Sequence, residues 1–280
     1  MSPSSSQPPS LPHAGVMDLT GRRAMVIGAD NPAGGVIARA YAQAGADVAL
    51  CALTPDEAVM RARAVRRAVE ALGRRAPEYI MDVTLGKNVQ VTTRQIVKDL
   101  GGLDVVVVAP DAFLGESIQK TTDTDLARVM QVNFNAHFFA IRAAADEFRR
   151  REGGGRIVCM TSVLGQRGAP NTAAFASAHG AVQALVRASS RELAPQGVAV
   201  NAIALGWMDW MDERFRADAT ALPDAVSAGD AEPAAASGPP SGRGRAEDVG
   251  PLALFLASEA ASRNITGQVI PVDGGLLQHL

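Results

Sequence analysis

From Arg23 onward, short apolar runs alternate with helix-length segments whose apolar positions recur every three or four residues. That alternation marks a parallel sheet whose strands are covered on both faces by helices. Strands are predicted at Ala24–Ile27, Ala46–Cys51, Glu78–Met81, Leu103–Ala109, Arg156–Met160, Val198–Ala204 and Gln268–Val272. Helices are expected over 34–44, from Thr54 to about Leu72, and near 87–100, 123–150, 172–194 and 246–258. Gly45 closes the first of these. Thr54-Pro55-Asp56-Glu57 reads as a capping box with proline at the first helical position. The fold class is α/β, a doubly wound parallel sheet of about seven strands in a three-layer αβα stack.

Composition sharpens this picture in a few places. With 280 residues, 47% hydrophobic and 20% charged, one large globular domain over 17–280 is expected. The net charge of −2 gives no pull toward nucleic acid or a membrane surface. Cys51 and Cys159 fall inside apolar runs and read as buried reduced thiols, which fits a cytoplasmic protein. The longest apolar runs, Val105–Pro110 and Leu252–Ala257, are too short to span a bilayer. Residues 1–16 have no basic start and no apolar stretch, and are expected to be a disordered tail. Arg61, Arg63, Arg66, Arg67, Arg74 and Arg75 read as a solvated helix face. Residues 219–244 break the pattern, since nineteen of 26 are Ala, Gly, Pro or Ser. They are expected to form a flexible flap near the substrate site or a loop insertion without function.

Chemistry is concentrated in two stretches. Gly28-Ala29-Asp30-Asn31-Pro32-Ala33-Gly34-Gly35 joins a strand to a helix start, where free amide donors can hold a pyrophosphate. Gly155–His179 runs from a strand through Thr161 and Ser162 into a helix carrying Phe175 and His179 four residues apart, on one face. A hydroxyl at a strand's C-terminal end is where an open α/β sheet builds its reaction site. No metal is expected.

Over roughly 17–276 the chain resembles the short-chain dehydrogenase/reductase family, which implies a Rossmann-type fold. The family's Thr-Gly-x-x-x-Gly-x-Gly turn falls on Ile27 to Gly34, giving Gly28 and Gly34 as the first and third glycines and Pro32 in the middle. By the same resemblance, Asp30, Asn31 and Ala33 belong to the cofactor turn, and Asp82 and Val83 meet the adenine. The Asn-Asn-Ala-Gly after the fourth strand falls on Val108-Ala109-Pro110-Asp111, with only a small residue kept at Ala109. Asn133 is the structural asparagine of the fourth helix, and Ser162 is the catalytic serine. Tyr-x-x-x-Lys falls on Phe175-Ala176-Ser177-Ala178-His179. Ile265-Thr266-Gly267-Gln268 and Val272-Asp273-Gly274-Gly275 keep the closing signature. The resemblance implies NAD(P)(H), with NAD versus NADP undecided because neither an acid at Ala52 nor a base at Leu53 is present. It also implies a small-molecule substrate, and a homo-oligomer, dimer or tetramer, through the helices near 123–150 and 172–194.

The two replaced residues remove the family's usual chemistry. A phenol titrates near 10 and needs a neighbouring lysine to act as an acid or base near neutrality. Phe175 has no hydroxyl, while His179 can still bond a ribose hydroxyl or carry the proton itself. Asp111 and His137 are further candidates for the missing proton group, beside the readings of a turn former and a helix-interface histidine. Trp207, Met208 and Trp210 follow the sixth strand and are expected to form an apolar wall for a ring-shaped ligand. They could equally pack under the flap or at a subunit contact. Three functions stay open: an oxidoreductase with an altered proton relay, a lyase or isomerase on the same fold, and a catalytically silent ligand-binding or partner subunit.

Overall fold

The computed structural model describes residues 15–211 and 243–277. Among the described residues, seven strands form one sheet: β1 (Arg23–Ile27), β2 (Asp47–Ala52), β3 (Glu78–Ile80), β4 (Val105–Val108), β5 (Gly155–Ser162), β6 (Val198–Leu205) and β7 (Val269–Val272). Their order is β3-β2-β1-β4-β5-β6-β7, and every neighbouring pair is parallel. Successive strands are added outward in opposite directions from β1 and from β4, which opens a crevice at their C-terminal ends.

Alternate residues of each strand feed two separate cores, as a side-chain period of two requires. Val26, Leu50, Val107 and Ile203 face one core, with Ile37 and Tyr41 of α1 (Pro32–Gln43) packed on them. Met25, Ile27, Val106 and Ile157 face the other. There they meet α3 (Gly86–Leu100), α5 (Ala136–Arg150) and α7 (Ala173–Leu193), which the short α6 (Leu164–Arg167) precedes. Burial on both faces explains why β4 is a run of four valines and why all eight residues of β6 are buried.

Local differences from the sequence expectation have physical causes. The second helix, α2 (Glu57–Ala71), starts at Glu57 and not at Pro55. Asp56 Oδ1 accepts from Ala58 N at 3.1 Å, and Thr54 only donates its hydroxyl to Asp56. A carboxylate is favoured over a hydroxyl at the positive end of the helix dipole. The single helix expected over 123–150 is α4 (Asp123–Val129), a π-turn (Met130–Asn135) and α5. β5 continues two residues past its apolar run because β6 pairs Thr161 with Ala204 and Ser162 with Leu205.

The arginine cluster of α2 is a solvated face tied to nearby acids. Arg61 pairs with Glu57, Arg63 with Glu78, Arg66 with Glu70, and Arg74 with Asp47. Cys51 and Cys159 are buried and unbonded, and burial pushes the Cys159 thiol up to about 12. Among the described residues, no helix is long and apolar enough to cross a membrane, and no cluster that could hold a metal ion occurs. The expected tail over 1–16, apart from its last two residues, lies outside the described residues. So does the expected flap over 219–244, apart from Arg243 and Gly244. Gly244 pairs its backbone with Trp207 and Asp209, which brings that end of the stretch beside the residues following β6.

Candidate active site

The glycine turn between β1 and α1 is built by backbone contact. Gly28 has φ +82°, and a Cβ there would stand 2.6 Å from the Ala109 carbonyl oxygen, so a side chain has no room. Asn31 caps α1: its Oδ1 accepts from Gly34 N at 2.8 Å, while its Nδ2 donates to Ala109 O at the end of β4. One side chain thereby joins the helix start to the neighbouring strand. Gly35 N donates to Asn31 O, and Pro32 has no N–H, which leaves the Ala33 amide as the donor at this helix end. Asp30 follows in the turn with only 9% of its side chain exposed. Its Oδ1 has no hydrogen-bond partner among the described residues. Burial raises the Asp30 carboxyl above its ordinary range, against the opposing pull of Arg61.

At the other end of the crevice, β5 delivers Thr161 and Ser162, and α7 delivers Phe175 and His179. Ser162 Oγ accepts from Leu164 N at 3.2 Å, so its own proton is available to donate. Gln183 Nε2 donates to the Ser162 carbonyl at 3.0 Å and holds this strand end in place. The Phe175 and His179 rings are 4.3 Å apart between centroids, as the four-residue spacing requires. Phe113 meets Phe175 edge-on at 5.1 Å. Thr161 Oγ1 lies 3.2 Å from both His179 Nδ1 and the His179 carbonyl oxygen. His179 Nε2 is buried and has no hydrogen-bond partner among the described residues.

The structure places the sequence candidates in three groups. Asn31, Ala33, Ala109, Ser162, His179 and Trp210 line one cleft, with Asp111 and Phe175 at its side. Asp111, Ser162, Phe175 and Trp207 also border an adjoining apolar cleft, which Phe113 and Leu276 complete. Asp30 lies farther along, with Leu53, Arg39 and Arg61. Asp82 stands just past β3, its Oδ1 accepting from the N–H and hydroxyl of Thr84, with Val83 buried beside it. Met208, expected in the apolar wall, is 1% exposed and belongs to the core with Val249 and Leu256. The bridge between Met208 and Gly244 fixes its backbone, and its side chain turns inward.

Asn133 is fully buried outside the clefts. Its amide both donates to and accepts from the backbone of Ala112, at 2.8 Å each way. These bonds fix the loop that carries Asp111 and Phe113. His137 is a helix-interface histidine, with ring nitrogens facing the carbonyls of Asn133 and Val108. Phe113, Met211 and Leu276 reach the site from three different loops, and no spacing in the chain singles them out.

Burial lowers His179 to about 4, against the opposing Asp111 charge and with a further push from His137. Burial likewise lowers His137 to about 4, despite its backbone hydrogen bonds. Between about 6.5 and 4 the unfolded chain takes up protons at these sites and the folded chain does not. Stability is therefore complete above the unfolded value and falls as pH drops through that window, by on the order of 3 kcal/mol per site. Denaturant unfolding at pH 7 and pH 5 is expected to show the loss, with a smaller loss in His179→Gln. Equal pH dependence in both chains would mean that His179 is not held neutral in the fold.

Comparison with known proteins agrees with this architecture. The family described as enoyl-(acyl carrier protein) reductase matches residues 28–277. A short-chain dehydrogenase/reductase of Armillaria gallica is 34% identical over 258 residues, covering 92% of this chain and 96% of its own. The hydroxynaphthalene reductase arp2 of Aspergillus fumigatus is 30% identical over 249 residues, covering 88% of this chain and 89% of its own. A crystal structure of a short-chain type dehydrogenase/reductase from Mycobacterium marinum superposes with a TM-score of 0.79 at 28% identity, covering 93% of this chain and 96% of that one. The chain thus belongs to the short-chain dehydrogenase/reductase family, oxidoreductases of alcohol and carbonyl groups.

Proposed function

We propose that this protein is an NAD(P)(H)-linked oxidoreductase that handles the oxygen of an apolar, ring-bearing alcohol or ketone with Ser162 and His179, without a phenol. The observation that carries this reading is that the Ser162 hydroxyl and the buried His179 imidazole border one cleft, beside the aromatic ring that replaces the family's acid. Ser162 supplies a donor to the substrate oxygen, and His179 supplies a nitrogen that takes or returns its proton. Phe113, Phe175 and Trp207 offer ring surfaces for the apolar part. The name of the Aspergillus relative, a reductase of a fused-ring compound, supports the same substrate class.

The glycine turn fits a dinucleotide. Gly28 and Gly34 let the backbone of the turn pack closely on itself, and the Ala33 amide is left as a donor at the helix start. In this reading the Ala33 amide meets the pyrophosphate, and Gly28, Asp30, Asn31 and Gly34 form the turn around it. Asp82 and Val83 meet the adenine, while Ala109 meets the nicotinamide ribose. The cofactor supplies or accepts hydride when bound. Ligand at about 100 times its Kd raises stability by roughly 2.7 kcal/mol. NADH or NADPH at millimolar concentration is therefore expected to shift the melting temperature. A melt unmoved by either one sinks the oxidoreductase reading.

A second reading, a catalytically silent ligand-binding subunit, is favoured by Phe175, which is 5% exposed and carries no proton. It predicts a cofactor-dependent melting shift with no turnover on any ketone or alcohol. Cytoplasmic location and homo-oligomerisation belong to the proposal too. Leu126 and Phe138, each 43% exposed on α4 and α5, support self-association through these helices. Light scattering that returns the mass of one chain would overturn it.

A further inference from the structure

We propose that Thr161 is a positioning residue that holds the His179 proton on Nδ1, so that the site selects a cyclic compound bearing a hydroxyl. The substrate O–H donates to the bare Nε2. This deepens the oxidoreductase reading at the same site and rests on it.

The argument is a count of protons. Thr161 Oγ1 stands 3.2 Å from the His179 carbonyl oxygen and 3.2 Å from His179 Nδ1. A carbonyl oxygen only accepts, and we assign the single hydroxyl proton of Thr161 to it, the one arrangement in which both contacts are hydrogen bonds. The contact with Nδ1 is then satisfied only if Nδ1 carries the proton and donates to the Thr161 oxygen. A neutral imidazole has one N–H, so Nε2 is left as an acceptor. The ring is buried, and Nε2 has no partner among the described residues. The titratable neighbours that act on the ring are Asp111 and His137. Burial keeps it neutral at pH 7 despite the Asp111 charge.

Across the cleft, the Ser162 oxygen already accepts from Leu164 N, and its proton can donate outward. The cleft therefore presents one donor, Ser162, and one acceptor, His179 Nε2. A hydroxyl group meets both, accepting from Ser162 and donating to Nε2. A ketone or an ether meets only Ser162 and leaves Nε2 facing a lone pair. The aromatic edges of Phe113 and Phe175 suit the ring of such a compound.

Two measurements test this on the full chain. In chain labelled with 15N-histidine, long-range nitrogen–proton correlation at pH 7 should show His179 with Nδ1 protonated and Nε2 bare. His179→Gln identifies the signal. The opposite tautomer, or a doubly protonated ring, overturns the proposal. Thr161→Val should lose this tautomer preference and Thr161→Ser should restore it. If Thr161→Val does not fold, the shift of the natural chain and of Thr161→Ser still decides.

The second measurement compares 2-indanol with its methyl ether by calorimetry in the presence of cofactor. One net hydrogen bond makes the alcohol bind about 3–10-fold tighter, and the gap should close in Thr161→Val. Equal affinities in the natural chain overturn the proposal. Failure of cofactor to shift the melt defeats the oxidoreductase reading alone, since the tautomer assignment needs no cofactor.

Discussion

Phe175→Tyr combined with His179→Lys is expected to raise cofactor-dependent reduction of a simple cyclic ketone by about 10²–10⁴-fold over the natural chain. That range is what a positioned acid/base group contributes to proton transfer. The register is right for it, since the two rings lie 4.3 Å apart on one face of α7. The cleft they border already holds the Ser162 donor. Phe175→Tyr alone is expected to gain much less, because a phenol near 10 stays poorly matched to neutral pH without a cation beside it. His179→Lys alone supplies the cation and no acid. The check is loss of reduced-cofactor absorbance with cyclohexanone at pH 7, for all four chains. No gain in a double variant that still folds and binds cofactor would locate the defect elsewhere. Pro32 and the stretch Val108–Asp111 would then be the features that disable the nicotinamide end.

Gly34→Ala is expected to destabilise the fold by about 3 kcal/mol and to remove any melting shift from NADH or NADPH. A Cβ at Gly34 would stand 2.1 Å from the Gly28 carbonyl oxygen and 2.8 Å from its carbon. Both are backbone atoms of the turn and cannot swing aside. The turn would have to open, breaking the Asn31 cap on Gly34 N and the bridge from Asn31 to Ala109. Gly35→Ala, one residue on, is the control. Its Cβ would meet Val65 Cγ2 at 3.1 Å, a side-chain methyl that can give way. It removes a glycine from a helix interior, which favours the folded state by roughly 0.5–1 kcal/mol. Melting of the two variants with and without cofactor checks the contrast. A Gly34→Ala chain as stable as Gly35→Ala and still responsive to cofactor would refute this account of the turn.

The sequence by itself determined the parallel sheet and the order of strands and helices. Strands covered on both faces are near-continuous apolar runs, as β4 is throughout, β1 after Arg23 and β6 on either side of Asn201. It also determined that Phe175 and His179 share a face, because helical spacing alone sets that relation. Element edges were less legible, as at β5, where pairing with β6 carries the strand to Ser162. Met208 shows the limit more sharply: its place beside two tryptophans suggested a wall, yet it points into the core. Only the tertiary structure decided that Phe113 and Leu276 complete the apolar cleft and that Asn133 bonds the backbone of Ala112. It alone brought the Thr161 hydroxyl against the His179 ring, 18 residues later in the chain. Spacing along the chain governs which residues share a face of one element. Contacts between elements depend on how the elements pack, and no local pattern encodes those distances.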